Sequence, residues 1–253
     1  MKIGLIISQR NELEFGLLAN KMIKESNIEH IEIDDFPLYL KDEDLPECDA
    51  YVAVAIHSIA DEPYRLCVHA CGNWGEKWQK ESINLGGEER VLSGHDPGLF
   101  RFIYNKLKEQ NNWPVSIEAT HHGPTLTKPI LMLEIGSNSE AWKDTAINQF
   151  VVETVKSLKE YEPVSNEASI VIGGDHYMEK VSKLLSTQCL CHLCPSNQSH
   201  NFNEDMLNQA IRTCNVPIKN IIVDLSGVGQ HYERIKKIVK KSGLPMVHLH
   251  ELV

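Results

Sequence analysis

Residues 115–137 read VSIEATHHGPTLTKPILMLEIGS, and the fold follows from how this stretch divides. Val115 to Ala119 and Ile130 to Ile135 are apolar runs of strand length, which predicts two buried strands. Between them, Thr120-His121-His122-Gly123-Pro124-Thr125 crowds two imidazoles, a Gly-Pro step and a hydroxyl onto one strand end. Strand ends are where open α/β sheets bind ligands. Glu134 stands inside Leu131-Met132-Leu133-Glu134-Ile135, and a carboxylate in a buried strand needs a partner or a purpose.

Outward from this stretch, short apolar runs alternate with helical periods. Strands are expected at 2–8, 28–33, 51–56, 65–70, 169–172, 189–194, 221–225 and 246–249. Helices are expected over 12–25, 97–110, 139–160, the stretch up to 185, 203–214 and 229–241. Pro97 suits a first helical turn, Ser137 or Ser139 is placed to cap the helix over 139–160, and Glu204 and Asp205 suit a helix start. Residues 34–49 and 76–95 read as loops, and 163–167 as a surface crossing rather than a domain boundary. The pattern predicts one α/β domain over 1–253, with a central mixed, largely parallel sheet flanked by helices.

The formal net charge of −10 excludes a surface that is basic everywhere, but not a local basic groove. Lys128, Lys143 and the set Lys236, Lys237, Lys240 and Lys241 are the lysines such a groove would draw on. No apolar run approaches the roughly 20 residues of a membrane helix. The start MKIGLIISQR reads as a first strand rather than an export signal. Seven cysteines without such a signal predict reduced thiols and a cytoplasmic location.

Three strand ends carry histidines beside small residues: His69 before Gly72, His121 and His122 before Gly123, and His176 after Gly173-Gly174. If these strands are neighbours, the imidazoles share one cleft, where they could ligate a metal or act as general bases near neutral pH. Glycines there permit tight turns and close approach to the backbone, whose N–H groups could hold an oxyanion. A lone histidine is ordinarily a surface or cap residue, but two on one tight turn are hard to place in a core. Cys189-Leu190-Cys191-His192-Leu193-Cys194 is dense in thiols, yet no second ligand pair accompanies it, so packing is the favoured reading. Cys71 is a weak candidate nucleophile, and Trp74 and Trp78 could wall a pocket or simply be buried.

These residues resemble the archaeal and plant type of D-aminoacyl-tRNA deacylase, the second deacylase type. The resemblance rests on His69 with Gly72-Asn73-Trp74, Leu85-Gly86-Gly87, Glu118-Ala119-Thr120-His121-His122-Gly123-Pro124-Thr125 and Glu134-Ile135-Gly136-Ser137 with Trp142. It continues through Gly173-Gly174 with His176-Tyr177, and His192 with Pro195. The match covers about residues 50 to 225. It implies a fold related to peptidyl-tRNA hydrolases and nucleoside phosphorylases, and hydrolysis of the ester between a D-amino acid and the terminal ribose of tRNA. It also implies zinc as cofactor.

On this resemblance the expected catalytic residues are His121, His122, Thr125 and Glu134, and the expected metal ligands come from His69, His121, His122 and His176. Substrate contacts are expected from Gly72, Asn73, Trp74, Glu118, Gly123, Pro124, Gly173, Gly174 and Tyr177. Glu134 or Glu118 would orient an imidazole, and the protein would act as a monomer on D-aminoacyl-tRNA. The sequence departs from the family pattern at Cys71, Asp175, Met178-Glu179, Cys191 and Ser196. Two alternatives remain at this point: a nucleoside or peptidyl-tRNA hydrolase on the same fold, and a non-catalytic tRNA- or metal-binding relative.

Overall fold

In a computed structural model of the chain, the described residues are 1–58, 64–77, 79–80, 83–164 and 166–253. The strands among them are β1 (Ile3–Ser8), β2 (Ile31–Ile33), β3 (Ala50–Ile56), β4 (Arg65–Ala70), β5 (Gln79–Lys80) and β6 (Ile83–Asn84). They continue as β7 (Val115–Ile117), β8 (Ile130–Gly136), β9 (Ala168–Gly174), β10 (Cys189–Pro195), β11 (Ile218–Val223) and β12 (Met246–His248). The helices are α1 (Gln9–Phe15), α2 (Leu18–Glu25), α3 (Pro97–Leu107), α4 (Ser139–Lys143) and α5 (Thr145–Lys156). After them come α6 (Glu179–Leu185), α7 (Glu204–Thr213), α8 (Leu225–Val228) and α9 (Tyr232–Ser242).

The α/β class and the mixed, mostly parallel sheet are as expected, and a second sheet goes beyond the expectation. Six strands run in the order β2-β1-β3-β8-β4-β7, with β4 antiparallel to β8 and the other pairs parallel. A separate four-stranded parallel sheet has the order β10-β9-β11-β12, and β5 and β6 form a short ribbon within the stretch read as a loop. One core spans both large sheets: Leu131, Leu133 and Ile135 of β8 share it with Val171 of β9, Leu193 of β10 and Ile222 of β11. Ile23, Ile103 and Val151 bring α2, α3 and α5 into the same core.

Two expected helices are broken. Gly16, at φ 71°, ends α1 in the left-handed region, so 12–25 is two helices, and Leu13 points into solvent at 79% exposure. The helix expected over 139–160 is cut at Asp144. Asn138, not Ser137 or Ser139, caps α4 by accepting from the Glu140 and Ala141 amides, and the Asp144 carboxylate caps α5. Residues 34–49 contain two 3₁₀ turns, Pro37–Tyr39 and Asp42–Asp44.

The register of the larger sheet sets up the site. Cys67 of β4 pairs with Glu134 of β8, and His69 pairs with Met132. Directly paired residues point to the same face of a sheet. Cys67, His69, Met132 and Glu134 therefore share the face opposite Leu131, Leu133 and Ile135. Ala55 of β3 lies beside Glu134, which brings His57, two residues further along, to the same end.

Candidate active site

β7 ends at Ile117, and the chain then turns through Glu118 to Pro124 across the face that carries His69 and Glu134. This turn is anchored from the smaller sheet. The Thr120 amide donates to the Leu193 carbonyl (2.9 Å), and the Thr120 hydroxyl accepts from the Leu193 amide (2.9 Å). His192 Nδ1 lies 3.3 Å from the same hydroxyl, and its Nε2 lies 3.0 Å from the Thr213 hydroxyl. The Ala119 amide donates to the His176 carbonyl (2.8 Å), which ties the turn to the loop after β9. His122 sits at φ 42°, and Gly123-Pro124 is a cis peptide.

The result is a convergence of five imidazoles on two buried carboxylates. Ring centroids are 4.2 Å apart for His121 and His122, 4.3 Å for His69 and His121, and 4.8 Å for both His69–His122 and His121–His176. Glu134 lies 3.4 Å from His69 Nε2, 3.2 Å from His57 Nδ1 and 3.8 Å from His122 Nε2. Glu118 is fully buried and lies 3.3 Å from His57 Nδ1, 3.6 Å from His176 Nε2, 3.7 Å from His69 Nε2 and 3.9 Å from His121 Nε2.

The backbone settles the tautomers. A carbonyl oxygen only accepts, so a ring nitrogen beside one must carry a proton. His69 Nδ1 faces the Ala70 carbonyl at 3.0 Å, His121 Nδ1 that of Ala119 at 2.8 Å, and His122 Nδ1 that of Gly123 at 2.7 Å. In the neutral rings each Nε2 is then a bare lone pair. One ring nitrogen of each lies within 4.8 Å of the others, and each Nε2 faces a carboxylate. Among the described residues, neither oxygen of Glu118 accepts a hydrogen bond. Lone pairs and carboxylates converging in a buried space repel unless a cation lies among them. This donor set fits a metal ion, and the carbonyl contacts are the outer partners that orient metal-binding imidazoles.

The electrostatics agree. Burial, reinforced by the neighbouring imidazoles, drives the His121 pKa well below the usual histidine value. Burial and His69 push His122 down to about 4, although Glu134 opposes this. Both rings are therefore neutral at pH 7, the form that ligates metal. Burial also lowers His176, against the pull of Glu118. Burial would lower His69 too, but Glu134 and Glu118 outweigh it and raise its pKa. Burial would raise Glu134, yet contacts with His57 and His69 hold it far below the ordinary carboxylate range.

The other expected residues fall into two groups. Tyr177 lies at the site, its hydroxyl 3.1 Å from His57 Nε2 and the Arg65 guanidinium 4.0 Å from its ring centroid. Trp74 does not wall the cleft. It is fully buried in the smaller sheet's core against Phe202, its indole N–H held by the Leu193 carbonyl at 3.3 Å, so it packs instead of stacking on a ligand. Trp78 lies outside the described residues. Asn73 is buried and holds the loop carbonyls of Gly86 and Glu88, while the Thr125 hydroxyl accepts from the Glu88 amide at 2.8 Å.

The glycines serve the fold's own close contacts. A Cβ on Gly123 would meet Leu38 O at 2.2 Å, and one on Gly174 would meet Met178 Sδ at 2.1 Å. The Gly123 amide already donates to the Leu85 carbonyl (3.0 Å), and the Gly72 amide to that of His122 (2.7 Å). The Pro124 carbonyl accepts from the Ser93 hydroxyl. Gly173, at φ 100°, abuts Asp224 O and Val228. Cys71 is fully buried, and burial pushes its thiol pKa well up, which disfavours the thiolate a nucleophile needs. Of the candidate groove lysines, Lys128 pairs with Glu47 (3.1 Å) and Lys241 with Glu204 (2.6 Å), while Lys236, Lys237 and Lys240 line an exposed face of α9.

His57 is the site residue that sequence reasoning missed. It ends an apolar strand as His69 nearly does, but Ser58 rather than glycine follows it. Cys67 is a second addition. It lies with His57 and Glu118 in a group close enough to share an ion.

A family model described as D-aminoacyl-tRNA deacylase matches residues 45–247. A protein of Cenarchaeum symbiosum named D-aminoacyl-tRNA deacylase is 29% identical over 208 residues, 79% of this chain and 78% of that protein. Proteins of the same name from Ignicoccus hospitalis (28% over 234 residues, 90% and 92% covered) and Thermococcus onnurineus (30% over 198 residues, 76% and 70% covered) are also similar. A crystal structure described as a conserved protein of unknown function, AF0625, superimposes with a TM-score of 0.82 at 18% identity. It covers 99% of this chain and 96% of that one, and supports the fold.

Proposed function

Since the chain belongs to the D-aminoacyl-tRNA deacylase family, we propose that the cleft between the two sheets is where it hydrolyses the ester of D-aminoacyl-tRNA. The observation that carries this is the set of three carbonyl-oriented imidazoles, His69, His121 and His122, whose bare Nε2 atoms converge on Glu118 and Glu134.

Those five residues would hold zinc, which when bound polarises an ester carbonyl or lowers the pKa of a water. The protein's own groups supply the rest. His176 is the most open of the imidazoles near Glu118, with 30% of its side chain exposed and Nε2 3.6 Å from that carboxylate. It takes the proton from the attacking water, and Glu118, 3.6 Å from its Nε2, stabilises the imidazolium that forms. A positioned base of this kind contributes roughly 10²–10⁴ in rate. His57 bridges Tyr177 and Glu134, donating from Nδ1 to the carboxylate and accepting the phenol proton at Nε2. This fixes the Tyr177 ring at the mouth. Trp142, whose indole N–H holds the His57 carbonyl at 3.2 Å, braces the strand end behind it.

The test is deacylation of one tRNA charged with D- or L-tyrosine, before and after a chelator. The reading predicts hydrolysis of the D form only, lost on chelation and restored by zinc. Turnover of both enantiomers alike, or of neither in the zinc-loaded protein, would reject it.

A further inference from the structure

The four-stranded sheet has a binding geometry of its own. Its order β10-β9-β11-β12 places β10 on one side of β9 and β11 on the other. The chain leaves β9 through α6 in one direction and, after β10, crosses back through α7 to reach β11. The β9/β11 boundary is therefore a topological switch point. In an open parallel sheet, the crevice outside the carboxyl ends of the strands at such a point is where ligands bind. A cavity of about 150 Å³ lies there. Its lining comes from the three strand ends: Gly174, which ends β9, and Asp175 after it, Ser196 after β10, and Asp224 and Ser226 after β11, with Lys180 of α6 across it. The volume is below that of a drug-sized pocket, and suits one sugar-sized group.

The lining chemistry selects the ligand. Asp224 Oδ1 accepts from the Ser226 amide (3.0 Å) and hydroxyl (2.6 Å), and Oδ2 faces Lys180 Nζ at 3.4 Å. Asp175 Oδ1 accepts from the Glu179 amide at 3.2 Å, which leaves its second oxygen for a ligand. Two carboxylates against one ammonium disfavour a phosphate, whose charge would be repelled. An acceptor-rich lining with two serine hydroxyls suits a neutral group that donates O–H, as a carboxylate does to ribose hydroxyls in dinucleotide sites. The crevice also adjoins the catalytic cleft. Asp175 lines it, and the next residue, His176, lies 3.6 Å from Glu118 and packs its ring 4.8 Å from that of His121.

We infer that this switch-point crevice is a nucleoside subsite that takes a ribose of the tRNA 3′ end through Asp175, Asp224 and Ser196, while the ester lies among the imidazoles. The inference rests on the ester-hydrolysis reading only for the direction in which the substrate lies. The crevice would also orient the acyl group, since a ribose fixed at Asp175 leaves the adjoining ester little freedom to turn.

The experiment is a binding titration by NMR, with adenosine as probe and 2′,3′-dideoxyadenosine as the analogue without the hydroxyls. The wild-type chain should bind adenosine in the millimolar range and the dideoxy analogue at least about tenfold more weakly, as a site built for hydroxyls does. Ser196→Trp, which fills the crevice, should abolish adenosine binding. Lys180→Met guards against misfolding, because the Lys180 side chain is 60% exposed; it should weaken binding severalfold. No adenosine binding at about 10 mM, equal binding of the two nucleosides, or wild-type binding by both variants would each overturn the subsite. The two readings fail separately. A chain that binds adenosine here but deacylates nothing keeps the subsite and loses the hydrolase, and one that deacylates without binding adenosine does the reverse.

Discussion

Replacing Glu134 by glutamine keeps the side chain's volume and one acceptor oxygen but removes a buried charge. In the wild type, that carboxylate lies 3.2 Å from His57 Nδ1, 3.4 Å from His69 Nε2 and 3.8 Å from His122 Nε2. One amide oxygen serves one of these nitrogens, and the amide hydrogens must face another. The cost is limited because glutamine leaves a polar partner in the same place, and Glu118 stays 3.7 Å from His69 Nε2. The loss of stability should therefore stay below the roughly 3–5 kcal/mol of a broken buried ion pair. It should lie nearer the roughly 1–3 kcal/mol of a buried polar group left unsatisfied. Metal affinity should suffer more clearly, because Glu118 alone would then face three bare Nε2 atoms. A loss of roughly 10–100-fold is expected. Urea unfolding of the metal-free protein gives the first quantity, and zinc content during dialysis against a competing chelator gives the second. An E134Q chain with wild-type stability and zinc affinity unchanged within about twofold would refute the electrostatic account of the cleft.

Other outcomes follow from the same physics at other buried groups. Burial holds the His95 pKa at about 4 in the folded chain, against about 6.5 when unfolded, so only the unfolded form gains a proton between these values. Stability contributed by this neutral ring is fully present above pH ~6.5 and is lost as pH falls towards 4, by about 3 kcal/mol in all. His95→Phe should flatten that slope in unfolding measured from pH 7 to pH 4. Thr120→Val should strand the buried Leu193 amide and cost roughly 1–3 kcal/mol, with Thr120→Ser restoring most of it in the same urea titration. Trp74→Ala should cost roughly 3–5 kcal/mol by thermal or urea unfolding, since the ring is fully enclosed.

Much of the fold was legible because β8 and β9 are largely apolar runs of strand length and the caps at Asp96 and Asn203 stand where polar residues precede helical periods. What sequence reading lacked was long-range pairing. Apolar runs announce strands but not which sheet they join, so the division into a six-stranded and a four-stranded sheet could not be read. The helix breaks at Gly16 and Asp144 lay inside continuous helical periods, where a single glycine or aspartate is compatible with either outcome.

In the site, His69, His121, His122 and His176 were singled out by position at strand ends, Glu134 by charge within a strand and Glu118 through the family resemblance, and the structure brings them together. His57 escaped because its neighbour is serine and its partners, Glu134 and Tyr177, are 77 and 120 residues away. Trp74 misled for the opposite reason: an indole beside glycines looks equally like a stacking wall and a core residue, and only burial decides. The glycines at 123 and 174 were read as openings for a ligand. Gly123 admits Leu38 and Gly174 admits Met178, while Gly174 also lines the crevice at the end of β9.

The measurement that bears most directly on the cleft as the seat of catalysis is single-turnover hydrolysis of D-tyrosyl-tRNA by His122→Ala, with its folding checked by near-ultraviolet circular dichroism. The convergence of His122 Nε2 with those of His69 and His121 predicts a folded chain whose hydrolysis rate falls by at least about 100-fold. A folded His122→Ala chain that clears D-tyrosyl-tRNA at the wild-type rate would contradict it.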